Sequence, residues 1–331
     1  MSKQERDRQL DIVKGILIAF VVIGHTYTEF ASYIYWFHMP VFFIVNGILY
    51  HDNQNETVRD YIIRKGKRLF IPYIMFGLVE CILYDDLSLK GIIRLLYSGR
   101  LQGGVYWFIP VLFLGNLIFF IVRKYVKGNQ KQFIIYLIVL IVCVLESAFL
   151  KSMKIEKNAF PLYLCFPWNI DVAFMASFYI ALGYSFRSIF AKLRQINSAN
   201  SCLTITLTCL FMLLAVIDYT KIELFELDMK YSEYSNVALV VLIPIGVTCI
   251  LTYISSVINK CNYLSLIFEF IGKISTVVMY IHLPIRDLVM LERFGSHYSI
   301  LGYLLVVIVI AALLVTLKKS SEIVILRKKE K

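Results

Sequence analysis

The chain has 331 residues, of which 59% are hydrophobic and only 17% charged, with a mean hydropathy of +0.71. A water-soluble domain carries about 25% charged residues, so this composition excludes a soluble globular protein and points to one immersed in lipid. The net charge of +11 would suit nucleic acid in a soluble chain. Here the basic residues gather in alternate connections and report membrane orientation instead, so no nucleic-acid partner is expected.

Ten apolar segments follow in chain order, at roughly 10–28, 34–50, 69–84, 105–122, 133–150, 170–186, 202–217, 235–258, 274–291 and 300–317. Most match the ~20 residues that span a hydrocarbon core of ~30 Å; the second and third are short, and the ninth has an indistinct start. No small-residue cleavage site follows the first, which reads as a retained span. With the N-terminus in the cytoplasm, the cytoplasmic tails and connections carry 22 Lys and Arg and the opposite ones 9. This asymmetry places both termini inside and requires an even number of spans. The expected fold is therefore an all-α integral membrane protein, a bundle of about ten transmembrane helices in the cell (plasma or inner) membrane.

Residues 1–331 read as a single transmembrane domain with an N-terminal tail at 1–9 and a basic C-terminal tail at 318–331. The longer connections, at 85–104 and 218–234, have room for short surface helices at most. The seven cysteines (Cys81, Cys143, Cys165, Cys202, Cys209, Cys249 and Cys261) lie mostly in apolar runs without a C-x-x-C pair. They read as packing thiols, and no metal site is expected.

The first span, "DIVKGILIAFVVIGH", carries Asp11, Lys14 and His25. At 100° per residue the step from Lys14 to His25 closes to within about 20°, and that from Asp11 to within about 40°. All three share one face. Charged side chains inside a membrane usually face a bundle interior or a watery cavity, although Asp11 and Lys14 are also close enough to the cytoplasmic end to snorkel or pair. His25 falls in the outer half of the membrane, and a neutral imidazole suits general-base work on a hydroxyl. Glu29, one turn on, is placed to orient that ring or to end the helix in solvent.

"RQLDIVKGILIAFVVIGHT" resembles the first span of the membrane-bound acyltransferase-3 family, which carries an Arg or Lys, ten residues, then an essential His. Lys14 and His25 match that pattern. "YWFHMPVFFIVNGILY" is similar to the second span, with Asn46-Gly47 where Ser-Gly is usual. "KGKRLFIPY" is similar to the start of the third, with Lys65 and Arg68 at its two basic positions; the lysine loses the bidentate geometry of an arginine. "GGVYWFIPVLF", "FYIALGY" and "IGKISTVVMYIHLPI" resemble the fourth, sixth and ninth spans. The fragments occur in order over nearly the whole chain, and their pattern is similar to the compact, fucose O-acetylase-like members that lack an appended extracytoplasmic domain.

The resemblance implies transfer of an acyl group, usually acetyl from cytosolic acetyl-CoA, to a hydroxyl of a surface polysaccharide or of its lipid-linked or sugar precursor. Arg64, Lys65, Lys67 and Arg68 at the cytoplasmic mouth of the third span suit the donor's phosphates, though anionic headgroups attract the same cluster. An extended pantetheine arm of roughly 20 Å covers half a bilayer or more. His25 would then take the hydroxyl proton, or carry the acyl group itself. Lys14 would neutralise Asp11 or meet the donor, and Asn46, Tyr106 and Trp107 offer donors toward an oxyanion or the acceptor. His38 and His282 are further acceptor-site candidates, each balanced by an interfacial or packing role. Arg286 and Asp287 suit sugar binding or local pairing, and the loops near Trp107 and Trp168 offer aromatic faces to carbohydrate. Expected partners are acyl-CoA, a glycan acceptor, membrane lipids and a possible second copy of the chain. A transporter or flippase of a lipid-linked glycan or small solute, and a membrane sensor, are the competing readings, because buried charge and interrupted helices also mark translocation paths.

Overall fold

A computed structural model describes residues 7–26, 31–53, 55–97, 104–152, 166–220, 225–287 and 300–329, with side chains from 302 to 316 in the last stretch. Glu29, Cys165 and His297 lie outside the described residues. The elements are α1 (Arg8–Gly24), α2 (Ala31–Tyr35), α3 (His38–Ile48), α4 (Val58–Leu83), α5 (Leu89–Tyr97), α6 (Phe108–Tyr125), α7 (Asn129–Ser152), α8 (Ile170–Leu193), α9 (Ser198–Tyr219), α10 (Val237–Asn259), α11 (Asn262–Ile285) and α12 (Ile300–Lys329). Among the described residues, each apolar segment of the sequence is wholly or mostly helical. Six helices among the described residues, α6 to α11, are long and apolar enough to cross a membrane by length and composition alone.

Several boundaries differ from the sequence reading: α11 begins at Asn262 rather than near 274, and α12 runs on to Lys329 rather than ending near 317. The segment 34–50 is not one span: it breaks at Trp36 and Phe37 into α2 and the 11-residue α3. At 1.5 Å per residue α3 covers ~16 Å, about half a hydrocarbon core. Pro40 lies in its first turn, where a missing backbone N–H costs nothing. The third segment begins earlier, because Thr57 caps α4 by accepting from the Asp60 N–H at 3.1 Å, so the basic cluster is helical. The connection after α9 folds partly as a two-residue antiparallel β pair, Leu227–Asp228 with Glu233–Tyr234, rather than as a helix.

The chain divides into two units. The first comprises Met1–Ile34 and Ile254–Lys331: α1, most of α2, the end of α10, α11 and α12. Asp7 caps α1 by accepting from the Leu10 N–H, and Arg8 pairs with Glu269 at 2.9 Å. At the other end of α1, Arg286 donates to the His25 carbonyl at 3.1 Å. Both pairs are 261 residues apart, so α1 and α11 run parallel. Gly15 and Gly272 set their approach: a Cβ on either would collide with the other helix's backbone, at the Phe268 and Asp11 carbonyls respectively. Small residues at a crossing replace the hydrophobic drive that lipid withholds. α12 begins beside the end of α11, where the Tyr303 hydroxyl donates to the His282 carbonyl at 2.6 Å, and packs against α11 and α1.

The second unit comprises Tyr35–Tyr253. α8 is its centre, buried over much of its surface and packed against α3, α6 and α7. Gly47 and Gly183 make the α3–α8 crossing as close as that of Gly15 and Gly272, each facing a carbonyl, of Ile180 and Ile44. Tyr50 lies against Tyr184, so these helices run parallel, and the succession Phe113–Trp168, Gly115–Ala176, Phe119–Tyr184 makes α6 parallel to α8 as well. α4 runs antiparallel to α6, through Tyr61 stacked on Phe120 at one end and Tyr73 against Tyr106 at the other. α7 is antiparallel to α6 through Gln132–Arg123 and Tyr136–Phe119. Trp168 and Asn169, both with positive φ, turn the chain into α8.

Candidate active site

In the first unit α1 is buried around most of its circumference while Lys14 and His25 stay half-exposed. Asp11 is buried, and its carboxylate meets the Lys14 ammonium at 2.5 Å. Lys14 therefore neutralises Asp11, one of the two roles its position allowed. Three turns on, about 16 Å along the axis, His25 follows the last turn of α1. Its Nδ1 lies 2.8 Å from the Val21 carbonyl. A carbonyl oxygen only accepts, so Nδ1 carries the proton and Nε2 is the basic nitrogen of the neutral ring.

The His282 ring stands 4.9 Å from that of His25, centre to centre, at 73°. His282 is fully buried, and its Nδ1 lies 3.1 Å from the Val278 carbonyl, which fixes the same tautomer. Its Nε2 has no hydrogen-bond partner among the described residues. Arg286 ties the end of α1 through the His25 carbonyl and also pairs with Asp287 at 2.7 Å. The first-span histidine and the ninth-span histidine thus meet, which neither helix's periodicity reveals. The pairing follows from the parallel packing of α1 on α11.

In the second unit the candidates separate along the helix axes. The basic cluster lies in the early turns of α4, while His38, Tyr106 and Trp107 lie at the other end, where Phe43 of α3 meets Phe108 of α6 at 5.5 Å. His38 is buried with its ring 5.3 Å from Tyr35. Tyr106 and Trp107 are buried too, Tyr106 edge-on to Tyr73. Trp168 packs on Phe70 at 5.0 Å and donates to the Leu96 carbonyl at 2.9 Å. Between the two ends, Asn46 donates to the side chain of Asn116 at 2.8 Å, and Asn116 donates to the Leu112 carbonyl at 2.7 Å. Asn46 is half-buried, and one of its amide hydrogens is committed to this pair.

Among the four basic residues, Arg64 is held by Glu56 in a two-pronged pair at 2.6 and 2.9 Å. Lys67 and Arg68 are exposed, and neither has a hydrogen bond or ion pair among the described residues. Beside them lies a cluster the sequence reading did not find. Arg123 donates to Asp52 and to the Tyr184 hydroxyl, both at 2.8 Å, and Asp52 also accepts from that hydroxyl. The guanidinium groups of Arg123 and Arg187 each lie 4.5 Å from the centre of the Tyr184 ring. Lys124 donates to the Glu56 carbonyl. Partial burial works against ionisation of Asp52, but the Arg123 and Tyr184 hydrogen bonds, with the charges of Arg123 and Arg187, hold its carboxyl below the usual range. The 51–57 connection is thus clamped at both ends, and the cationic mouth extends from α4 to α6 and α8. Only the charge of Arg123, Lys124 and Arg187 was visible in the sequence; their convergence comes from helix packing.

Among the described residues no group of three His, Cys, Asp or Glu stands together as metal ligands would. No curated protein and no solved structure matches the chain. The model of the acyltransferase 3 family, described as an acyltransferase domain, matches residues 7–318. That match runs through all ten apolar segments and both clusters, and by it this multi-pass membrane protein belongs to the acyltransferase 3 family of membrane acyltransferases.

Proposed function

We propose that the protein transfers an acetyl group from cytosolic acetyl-CoA to a hydroxyl of a surface polysaccharide or its lipid-linked or sugar precursor, with His25 as the general base. The observation that carries this reading is the tautomer of His25. Its Nδ1 proton is fixed on the Val21 carbonyl, so Nε2 is the basic nitrogen at the end of a buried helix. As the acceptor oxygen attacks the thioester carbonyl, its proton passes to His25 Nε2. The C–S bond then breaks, and the departing thiolate takes that proton back.

The remaining residues have supporting parts. The Asp11–Lys14 pair offsets the two charges inside the span, one turn from the Gly15 crossing with α11. Lys67 and Arg68, with Lys65 and the cations on α6 and α8, offer charge to the donor's phosphates. Arg68, with its forked donors, suits a phosphate best. His38, Tyr106 and Trp107 lie at the end of the second unit away from these cations, where an acceptor from the far side would be met. Membership of an acyltransferase family leaves the transporter and sensor readings without an observation in their favour.

The test compares surface glycan from cells with and without the protein by mass spectrometry, alongside cells carrying His25→Ala. The expected result is an acetyl mass increment that is present with the native chain, absent without it and absent in the variant at equal membrane abundance. Full acetylation in the variant contradicts the role of His25, and glycan unchanged by removal of the protein contradicts the substrate.

A further inference from the structure

The cluster around Tyr184 holds more positive charge than its own residues neutralise. Arg123 is fully engaged. Its Nε and one terminal nitrogen donate to the two Asp52 oxygens at 3.4 and 2.8 Å, and that same terminal nitrogen reaches the Tyr184 hydroxyl at 2.8 Å. Its other terminal nitrogen donates to the Gln132 side chain at 2.9 Å. Asp52 is engaged in turn, accepting from Arg123 and from the Tyr184 hydroxyl. Arg187 shares the ring but not the carboxylate. Its guanidinium lies over Tyr184, 4.5 Å from the ring centre, on an exposed side chain with no hydrogen bond or ion pair among the described residues. Two guanidiniums and one carboxylate leave one positive charge over, on a fork of N–H donors. The ring that carries it is fixed, because its hydroxyl is bonded to both Asp52 and Arg123, and the cation–π contact holds the guanidinium in place. An arginine presented in this way suits a phosphate.

Depth along the helices distinguishes this arginine from the cations on α4. Tyr61 of α4 stacks on Phe120 of α6, and Tyr184 of α8 lies against the adjacent Phe119, so the two tyrosines stand at nearly one level. Lys67 and Arg68 lie two turns beyond Tyr61, away from the cationic mouth. Arg187 lies about one turn beyond Tyr184 in the opposite direction, toward the mouth. The two groups thus differ in depth by about three turns, ~15 Å at the backbone, a gap that long side chains narrow. Coenzyme A carries two phosphate groups on separate positions of one ribose: a diphosphate that continues into the pantetheine arm, and a 3′-phosphate monoester that ends there. The diphosphate fits the deeper cations, because its arm has to continue inward. The monoester then falls to Arg187.

We propose that Arg187 binds the 3′-phosphate of the acyl donor and makes the protein select coenzyme A thioesters over shorter pantetheine thioesters. The proposal rests on acetyl-CoA being the donor. Arg187 takes no part in the transfer itself; it recognises the end of the donor that stays at the mouth. The headgroup of an anionic lipid offers the same phosphate chemistry, and the experiment separates the two sources.

The experiment measures binding to the full chain in phosphatidylcholine nanodiscs by titration calorimetry, with coenzyme A and 3′-dephospho-coenzyme A as the probes. The native chain is expected to bind coenzyme A about tenfold or more tighter than the dephospho form, as a charge-assisted pair allows. Arg187→Gln is expected to weaken coenzyme A alone and so abolish that preference. Arg187→Lys, which keeps the charge without the fork, is expected to keep part of it, and Arg68→Gln to weaken both probes alike. An Arg187→Gln chain that still prefers coenzyme A overturns the proposal. The same differences are expected in nanodiscs containing phosphatidylglycerol. If Arg187→Gln instead lowers only the phosphatidylglycerol retained by the protein in native mass spectrometry and leaves coenzyme A binding untouched, the phosphate is a headgroup and the proposal fails. A native chain that binds both probes equally contradicts the role of Arg187 alone, whereas one that binds neither contradicts acetyl-CoA as the donor and this role with it.

Discussion

Lys14 and Asp11 show how a charged residue is accommodated in the first span. The carboxylate is almost wholly enclosed and its partner is one turn away at 2.5 Å. Removing one member of a buried pair strands the other and costs roughly 3–5 kcal/mol, whereas replacing both with apolar residues is often nearly neutral. Lys14→Met is therefore expected to lower the thermal stability of the detergent-solubilised protein sharply, and Asp11→Leu with Lys14→Met to recover most of the loss. A double variant as unstable as the single would contradict a mainly local pairing role. The spacing of the sequence put these residues and His25 on one helix face, because 3.6-residue periodicity is a local property. It did not disclose Asn116 as the partner of Asn46, or His282 as the neighbour of His25, because those contacts depend on which helices pack together and in which direction.

At the scale of elements, two crossings hold the units together internally. At Gly15 with Gly272 and at Gly47 with Gly183, an added Cβ meets a backbone carbonyl, which cannot rotate aside as a side-chain tip can. Gly47→Leu is expected to separate α3 from α8 and lower the yield of folded protein, while Gly66→Ala, whose Cβ meets only the Phe113 ring edge at 3.8 Å, is expected to be tolerated. Equal yields would contradict the crossing. The clamp on the 51–57 connection has a defined pH dependence. Asp52 has a folded-state pKa below its unfolded value, so its contribution is present above the unfolded carboxylate range and is lost as pH falls through the folded value. Hydrogen exchange in that connection is expected to accelerate on acidification through that window, and Asp52→Asn to abolish that acid-dependent step. The helices themselves were legible as apolar runs. The break at Trp36 and Phe37 was not, since both residues are as apolar as a continuous span requires.

For the whole molecule, the direction of each helix bears on the count of spans. If ten spans alternate, the first and ninth must run parallel, as must the second, fourth and sixth, while the third and fifth oppose the fourth. The residue pairs within each unit give those directions. Together with the 22-to-9 division of basic residues, this parity leads us to propose that both tails and the α4 cations face the cytoplasm. A phosphatase reporter after Lys331 is expected to be inactive and one after Asp85 active; the reverse pattern would invert the site. Charge asymmetry, which is summed over loops, was readable without a structure. The convergence of Arg123, Arg187, Asp52 and Tyr184 at the basic end was not, because it draws on three elements far apart in the chain.

We propose a base in the first span, His25, that takes a proton from an acceptor on the far side while the donor enters from the cytoplasm. The most direct measurement supplies radiolabelled acetyl-CoA to the cytoplasmic face of inverted membrane vesicles and recovers the extracytoplasmic glycan enclosed within them. Vesicles with the native chain are predicted to place label on that glycan, and vesicles with His25→Gln at equal abundance to place about a hundredth as much or less. Equal labelling by the two would contradict the account.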